Sequence, residues 1–121
     1  MKSPVTLVVG ASPNPERYSF LATELLEEKG HSVYPFGIKN GFINSTPILT
    51  IWPEQGSIDA VTLYVGPAAQ VEYFDAIIHL APRRIIFNPG TENPVLVALA
   101  AKNGIETLEA CTLVLLKTGQ Y

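Results

Sequence analysis

Residues 5–17 read Val-Thr-Leu-Val-Val-Gly-Ala-Ser-Pro-Asn-Pro-Glu-Arg, and this stretch decides the fold prediction. An apolar, β-branched run ends at Gly10, a turn of small residues follows, and a helical pattern begins near Arg17. A strand, a tight turn and a helix in this order direct backbone N–H groups and a helix N-terminus at a bound anion. The turn has one glycine, whereas the dinucleotide-binding fingerprint Gly-x-Gly-x-x-Gly has three. The stretch therefore predicts a phosphate site without the dinucleotide signature.

The composition predicts a single globular domain over residues 1–121, with 47% hydrophobic and 16% charged residues. No apolar run approaches the roughly 18 residues that span a bilayer, and the run at Val5–Val9 is too short for a signal peptide. We therefore expect a cytoplasmic protein without a membrane partner. The net charge is −3 and no basic stripe is visible, which argues against nucleic acid as a partner. The single cysteine, Cys111, excludes an internal disulfide and a cysteine-based zinc site.

Strand and helix patterns alternate along the chain. The pattern predicts strands at 5–9, 32–36, 60–65, 84–87 and 105–108. It predicts helices at 17–29 and 110–116. A third helix is predicted to begin at Pro67, with an apolar stripe of Val71, Phe74, Ile77 and Ile78. A fourth is predicted to have Asn93 as its N-cap and Pro94 as its first residue, and to end at Gly104. Residues 37–57 are predicted to be irregular, with a short edge strand near 47–51. This rhythm predicts an α/β fold, a Rossmann-like doubly wound parallel sheet of about five strands in three αβα layers.

Ligands of such sheets bind beyond the carboxyl ends of the strands, near the point where the strand order reverses. At the first strand end, small side chains let a phosphate approach the backbone, and a serine hydroxyl and an arginine add hydrogen bonds. An ordinary tight turn would explain the same residues, and the tyrosine and second serine either face the ligand or cap the helix. The candidates here are Gly10, Ala11, Ser12, Arg17, Tyr18 and Ser19.

The second strand end separates the possible cofactors. A dinucleotide site places an acidic residue here to bind the ribose 2′-hydroxyl. This chain has Tyr34-Pro35-Phe36-Gly37-Ile38 and then Lys39, without a carboxylate. A lysine suits an additional phosphate, such as that of NADP or the 3′-phosphate of coenzyme A. A solvated surface lysine is the alternative.

The third and fourth strand ends supply further candidates. Val65 and Pro67 flank a glycine, and this turn leaves room for a flat group such as adenine, or simply begins a helix. Asn88, Gly90 and Thr91 either approach a linear chain or phosphate, or serve as ordinary turn and cap residues.

The remaining chemistry-bearing residues give no catalytic pattern. Cys111 follows the last predicted strand, where it is either a structural cysteine or a thiol near the cysteamine end of a coenzyme. His31 and His79 lie at predicted helix ends, without partners at metal or triad spacing. The sequence therefore predicts no catalytic residue and no metal ligand, and leaves enzymatic activity uncertain.

The motifs together resemble a known family. Gly-Ala-Ser-Pro at 10–13, Glu-Arg-Tyr-Ser at 16–19, Gly-His-x-Val-Tyr-Pro at 30–35 and Lys39 resemble the stand-alone CoA-binding domain proteins of bacteria. These are similar to the N-terminal nucleotide-binding domain of the succinyl-CoA synthetase α subunit. The turns at 64–67 and 88–91 also resemble that domain's adenine-side and pantetheine-side turns.

The resemblance implies a Rossmann-like fold with coenzyme A laid across the strand ends. It implies phosphate contacts at residues 10–12 and around Arg17, and a phosphate-neutralising Lys39. The favoured hypothesis is therefore non-catalytic binding of coenzyme A or an acyl-CoA.

Two alternatives remain open at this point. One is a small NADP- or nucleotide-dependent enzyme whose catalytic groups come from a partner chain or from Cys111. The other is a degenerate fold member that acts in protein association, as a homodimer for example. Its contact face would be the apolar residues of the irregular segment, which otherwise cover the sheet edge: Phe42, Ile43, Ile48, Leu49, Ile51 and Trp52.

Overall fold

The computed structural model describes residues 4–121, and residues 1–3 of the predicted domain lie outside the described residues. The strands are β1 (Val5–Val9), β2 (Ser32–Phe36), β3 (Phe42–Ile43), β4 (Thr46–Pro47), β5 (Ala60–Leu63), β6 (Arg84–Phe87) and β7 (Glu106–Glu109). The α-helices are α1 (Tyr18–Glu28), α2 (Pro67–Gln70), α3 (Phe74–Leu80), α4 (Pro94–Lys102) and α5 (Thr112–Lys117), and a 3₁₀ turn at Val71–Tyr73 joins α2 to α3.

Five strands form one parallel sheet in the order β2-β1-β5-β6-β7, which confirms the predicted Rossmann-like α/β fold. Val9 is in register with Phe36 on one side and with Leu63 on the other, and Leu63 is in register with Phe87. The carboxyl ends of these four strands therefore meet at one edge. The strand order reverses between β1 and β5, which places a ligand crevice above that pair.

Each face of the sheet carries its own apolar core. Alternate residues along a strand point to opposite faces, so helices on both sides are needed to cover them. One core joins the sheet to α3 and α4 and contains Leu7, Val9, Val61, Leu63, Ile85, Phe87, Ile77, Leu80 and Leu96. The other joins the sheet to α1, α5 and the β3–β4 hairpin and contains Val8, Phe20, Leu26, Ile43, Ile48 and Leu116.

The segment from Pro67 does not form the single continuous helix that the sequence predicts. The helix is broken by the 3₁₀ turn, and Val71, which the sequence pattern assigns to the apolar stripe, is exposed. Gln70 instead takes the inward position and is fully buried. Neighbouring helical positions point about 100° apart, and here Gln70 takes the inward direction while Val71 points to solvent.

The other boundaries move by one or two residues. β5 ends at Leu63 where the pattern extended to 65, and β7 is shifted by one residue towards the C-terminus. The last helix begins at Thr112, so Cys111 occupies its N-cap position. The N-cap Asn93 and the first helical residue Pro94 are confirmed, since the Asn93 side chain accepts a hydrogen bond from the Val95 amide.

The irregular segment covers the β2 edge of the sheet. Leu49 forms an isolated parallel bridge with Phe36, while Ile43 and Ile48 are buried. Phe42 and Ile51 remain exposed, so part of this apolar set protects the edge and part faces solvent. Within the described residues, no helix has the length and apolar content required to cross a membrane.

Candidate functional site

A cleft of about 390 Å³ opens at the carboxyl edge of the sheet, above the reversal between β1 and β5. It is built from the turns after β1, β2, β5 and β6, together with the start of α1 and the 3₁₀ turn. Its lining residues are Gly10, Ala11, Ser12, Arg17, Tyr18, Ser19, Phe36, Gly37, Ile38, Tyr64, Val65, Tyr73, Pro89 and Thr91.

Two glycines let the strand ends approach closely beneath the cleft. Gly10 has φ +97°, and a Cβ atom there would lie 2.9 Å from the Val65 Cγ1 and 3.2 Å from the Tyr64 carbonyl oxygen. A Cβ atom on Gly37 would overlap the Ala11 carbonyl oxygen. Both positions therefore require glycine for this packing.

The amides of the β1–α1 turn are partly engaged within the protein. The Gly10 and Ala11 N–H groups donate to the Phe36 carbonyl oxygen at 3.0 and 2.9 Å. These two bonds join the end of β1 to the end of β2. The phosphate contact predicted at residues 10–12 therefore has no free amide at Gly10 or Ala11, which leaves the Ser12 amide, nearby side chains and the helix terminus as donors.

The N-terminus of α1 lies uncapped at the cleft. Arg17 occupies its N-cap position in an extended conformation (φ −78°, ψ 142°), and its side chain accepts no capping hydrogen bond. The first turn carries no acidic residue. An uncapped helix N-terminus has unpaired amides and a partial positive charge, and it favours an anion. Arg17 is also the only lysine or arginine among the cleft-lining residues of the described chain, so both sources of positive charge coincide.

Apolar and aromatic side chains form the remaining walls. Tyr18 and Ile38 line the cleft mouth although they are 71% and 83% exposed. Tyr73 lines the far wall and stacks on Trp52 with ring centroids 5.5 Å apart, while Phe36 meets both rings edge-on. Such walls suit a flat or apolar group beside the N-terminus of α1.

Tyr64 lines the cleft, and its hydroxyl group lies in the interior. The hydroxyl oxygen is buried and has no hydrogen-bond partner among the described residues. Burial raises the pKa of Tyr64 to about 12, because the interior disfavours the phenolate. Tyr64 is therefore neutral near pH 7 and is unsuited to act as a general base there.

The β6–α4 turn closes the other end of the cleft and satisfies its own polar groups. The Thr91 hydroxyl donates to the Asn88 carbonyl oxygen at 2.8 Å, and the Glu92 carboxylate accepts from the Gly90 amide at 2.9 Å. Asn93 caps α4. The Gly90, Thr91 and Val95 amides of this turn are thus already bonded within the protein.

Asn88 is buried, and its side chain makes hydrogen bonds that hold neighbouring elements of the fold together. Its amide nitrogen donates to the Thr62 hydroxyl at 2.7 Å and to the Leu63 carbonyl at 2.8 Å. Its amide oxygen accepts from the Thr112 amide at 2.8 Å. The side chain therefore fixes the start of α5 against β5 and β6, below the cleft.

The structure brings eight of the thirteen sequence candidates into the cleft lining: Gly10, Ala11, Ser12, Arg17, Tyr18, Ser19, Val65 and Thr91. The other five lie outside it. Lys39 is exposed next to Ile38, Pro67 begins α2, Asn88 is buried, Gly90 is exposed, and Cys111 is half-buried at the start of α5.

Sequence reasoning missed six lining residues, namely Phe36, Gly37, Ile38, Tyr64, Tyr73 and Pro89, and it missed Gln70, which bonds to the turns after β5 and β6. All of the six except Tyr73 lie at or next to a strand end that the sequence does identify. Tyr73 and Gln70 give no such signal, because their placement depends on the 3₁₀ turn. Residues 4–121 contain no group of three or more histidine, cysteine, aspartate or glutamate side chains arranged to hold a metal ion.

Comparison with known families gives one match over nearly the whole chain. The sequence model of the family described as "CoA binding domain" matches residues 5–117. Comparison with curated protein sequences gives no match.

Solved structures support the same fold. The crystal structure of an uncharacterized protein is 40% identical, with a TM-score of 0.93 and 100% coverage of both chains. A hypothetical protein from Pyrococcus horikoshii OT3 is 25% identical, with a TM-score of 0.82 and coverage of 93% of this chain and 81% of that one. A conserved hypothetical protein from Pyrococcus furiosus is 22% identical, with a TM-score of 0.79 and coverage of 92% and 97%, and shows the fold alone.

Proposed function

The chain belongs to the CoA-binding domain family, and from that membership we propose that its cleft binds coenzyme A or an acyl-CoA without catalysing a reaction. The observation that carries the proposal is the uncapped N-terminus of α1, which meets Arg17 at the cleft. A diphosphate is the ligand group that best complements this combination of unpaired amides and a guanidinium group.

The rest of the ligand follows the shape of the cleft. With the diphosphate at α1, the adenine lies against the apolar walls near Val65, and the pantetheine arm extends towards Thr91. The ends of β1 and β6 are two strand spacings apart, about 10 Å, which an extended arm spans readily. Ser12 and Ser19 supply hydroxyl groups near the phosphates.

Lys39 is the proposed partner of the 3′-phosphate. It is exposed and follows Ile38, which lines the cleft mouth. A long, flexible lysine in this place can reach a phosphate at the rim as a point charge. Its contribution is small because the site is open to solvent.

A ligand panel tests the proposal. Thermal unfolding and calorimetry with coenzyme A, dephospho-CoA, NAD, NADP and ATP should give the largest stabilisation with coenzyme A, since a ligand at 100 times its Kd adds about 2.7 kcal/mol. Stabilisation by NAD without stabilisation by coenzyme A would overturn the proposal.

Matched lysine variants test the 3′-phosphate contact. Lys39→Ala should remove the preference for coenzyme A over dephospho-CoA, a preference of about 1.4 kcal/mol if it is tenfold. Lys102→Ala, in the last turn of α4, should leave that preference unchanged. An unchanged preference in Lys39→Ala would remove Lys39 from the site.

A further inference from the structure

Gln70 joins two walls of the cleft through a buried carboxamide. The side chain is 0% exposed. Its amide nitrogen donates to the Val65 carbonyl oxygen at 2.9 Å and to the Thr91 carbonyl oxygen at 2.7 Å. Its amide oxygen accepts from the Asn93 amide nitrogen at 3.1 Å. One side chain therefore connects the turn after β5 to the turn after β6.

The chemistry of the partners fixes the orientation of this amide. The two backbone carbonyls can only accept, so the NH₂ group of Gln70 must face them. Asn93 uses its own amide oxygen to cap Val95, so its NH₂ group points to Gln70. The network has one consistent arrangement, and reversing either amide places oxygen against oxygen.

A polar residue at this position needs an explanation beyond packing. A buried amide stabilises a fold no better than an apolar side chain of the same shape, and it is costly when unsatisfied. What it adds is directional geometry, here between Val65 and Thr91, which both line the cleft.

We propose that Gln70 is a positioning residue that holds the two turns at a fixed separation, so that an elongated ligand spanning both turns binds as one unit. This inference rests on the proposed coenzyme A function and deepens it. A ligand that touches only one turn gains nothing from the connection, whereas a linked ligand loses its advantage when the two halves of the site move independently.

The sharpest test uses Asn93→Asp and three probes. Aspartate still accepts the Val95 amide and so keeps the helix cap, but it cannot donate to Gln70, and its carboxylate attracts the Gln70 NH₂ group away from the Val65 and Thr91 carbonyl oxygens. The probes are coenzyme A, pantetheine, and adenosine 3′,5′-bisphosphate. We expect the Kd of coenzyme A to rise roughly tenfold while the Kd of each fragment changes less than about threefold.

A second pair of variants protects the test against misfolding. Gln70→Leu removes all three bonds and should show the same selective loss, measured at temperatures where urea unfolding shows the variant to be folded. Gln55→Leu, at an exposed glutamine, is the matched control and should bind like the unaltered protein.

The outcomes separate the two claims. If the variants lose the same affinity for coenzyme A and for both fragments, or if neither variant loses affinity for coenzyme A, the positioning role is overturned while the binding function stands. An unaltered protein that fails to bind coenzyme A overturns both.

Discussion

The β1–α1 turn and the β6–α4 turn share a backbone arrangement but differ in the side chains that cap the helix after each turn. Each follows a buried strand, contains a glycine with positive φ (Gly10 at +97°, Gly90 at +92°) and leads into a helix of at least nine residues. In the β6–α4 turn, the Glu92 and Asn93 side chains accept hydrogen bonds from the Gly90 and Val95 amides. The β1–α1 turn leaves its helix uncapped and adds Arg17. The two turns therefore differ in their capping side chains and not in their glycines, and under the proposed function the capping side chains determine which turn binds an anion.

The two glycines give the largest expected difference between the turns. Gly10→Ala should lower the free energy of unfolding by about 3 kcal/mol, because the new methyl group meets Val65 and the Tyr64 backbone in addition to the strained φ. Gly90→Ala should cost about 1 kcal/mol, since a Cβ there meets no atom within 4 Å. Urea unfolding of both variants measures the difference. Equal losses would show that the Gly10 contacts carry no weight.

The second prediction converts the open turn into a capped one. Arg17→Asp provides a side-chain acceptor at the N-cap position and should stabilise the free protein by about 0.5–1 kcal/mol. The same carboxylate repels the proposed diphosphate, so the affinity for coenzyme A should fall at least tenfold, about 1.4 kcal/mol. Arg17→Asp should therefore raise the unfolding temperature of the free protein and lower that of the protein with coenzyme A.

Arg17→Gln is the control for this variant. It removes the charge without adding a strong cap, so it should weaken coenzyme A binding with little effect on the free protein. If Arg17→Asp binds coenzyme A as well as the unaltered protein does, the open helix terminus is not the anion site.

The smallest effect concerns the charge of the capped turn. Glu92→Gln keeps an oxygen that can accept from the Gly90 amide but removes the negative charge near the cleft. Coenzyme A affinity should rise about twofold at low salt, and the gain should vanish near roughly 0.5 M salt, where exposed charges are screened within a few ångströms. Calorimetry at two salt concentrations checks this. A gain that persists at high salt would indicate a change in the turn itself.

The fold was predictable because its signals are local and agree with one another. The continuous apolar run at Val5–Val9 is typical of a central parallel strand, and Asn93-Pro94 marks a helix start by its own chemistry. The chain order of such elements leaves few right-handed topologies. The break after Gln70 was not predictable, because the burial of that amide depends on carbonyl groups from two separate turns.

The candidate site was predictable only as a set of strand ends. The rule for open α/β sheets located Gly10, Arg17 and Thr91 at one edge, and all three line the cleft. Sequence alone could not show that the Gly10 amide is already bonded to Phe36, since that bond requires the register between β1 and β2. Nor could it bring Tyr73 to the wall, which requires the 3₁₀ turn.

The aromatic contact beside the cleft has a practical consequence. Trp52 is the only tryptophan in the sequence, and its ring stacks on Tyr73. Tyr73 in turn lines the cleft. Any ligand that shifts Tyr73 alters the environment of a single indole chromophore. The intrinsic fluorescence of Trp52 therefore offers a label-free measurement of any ligand that moves Tyr73.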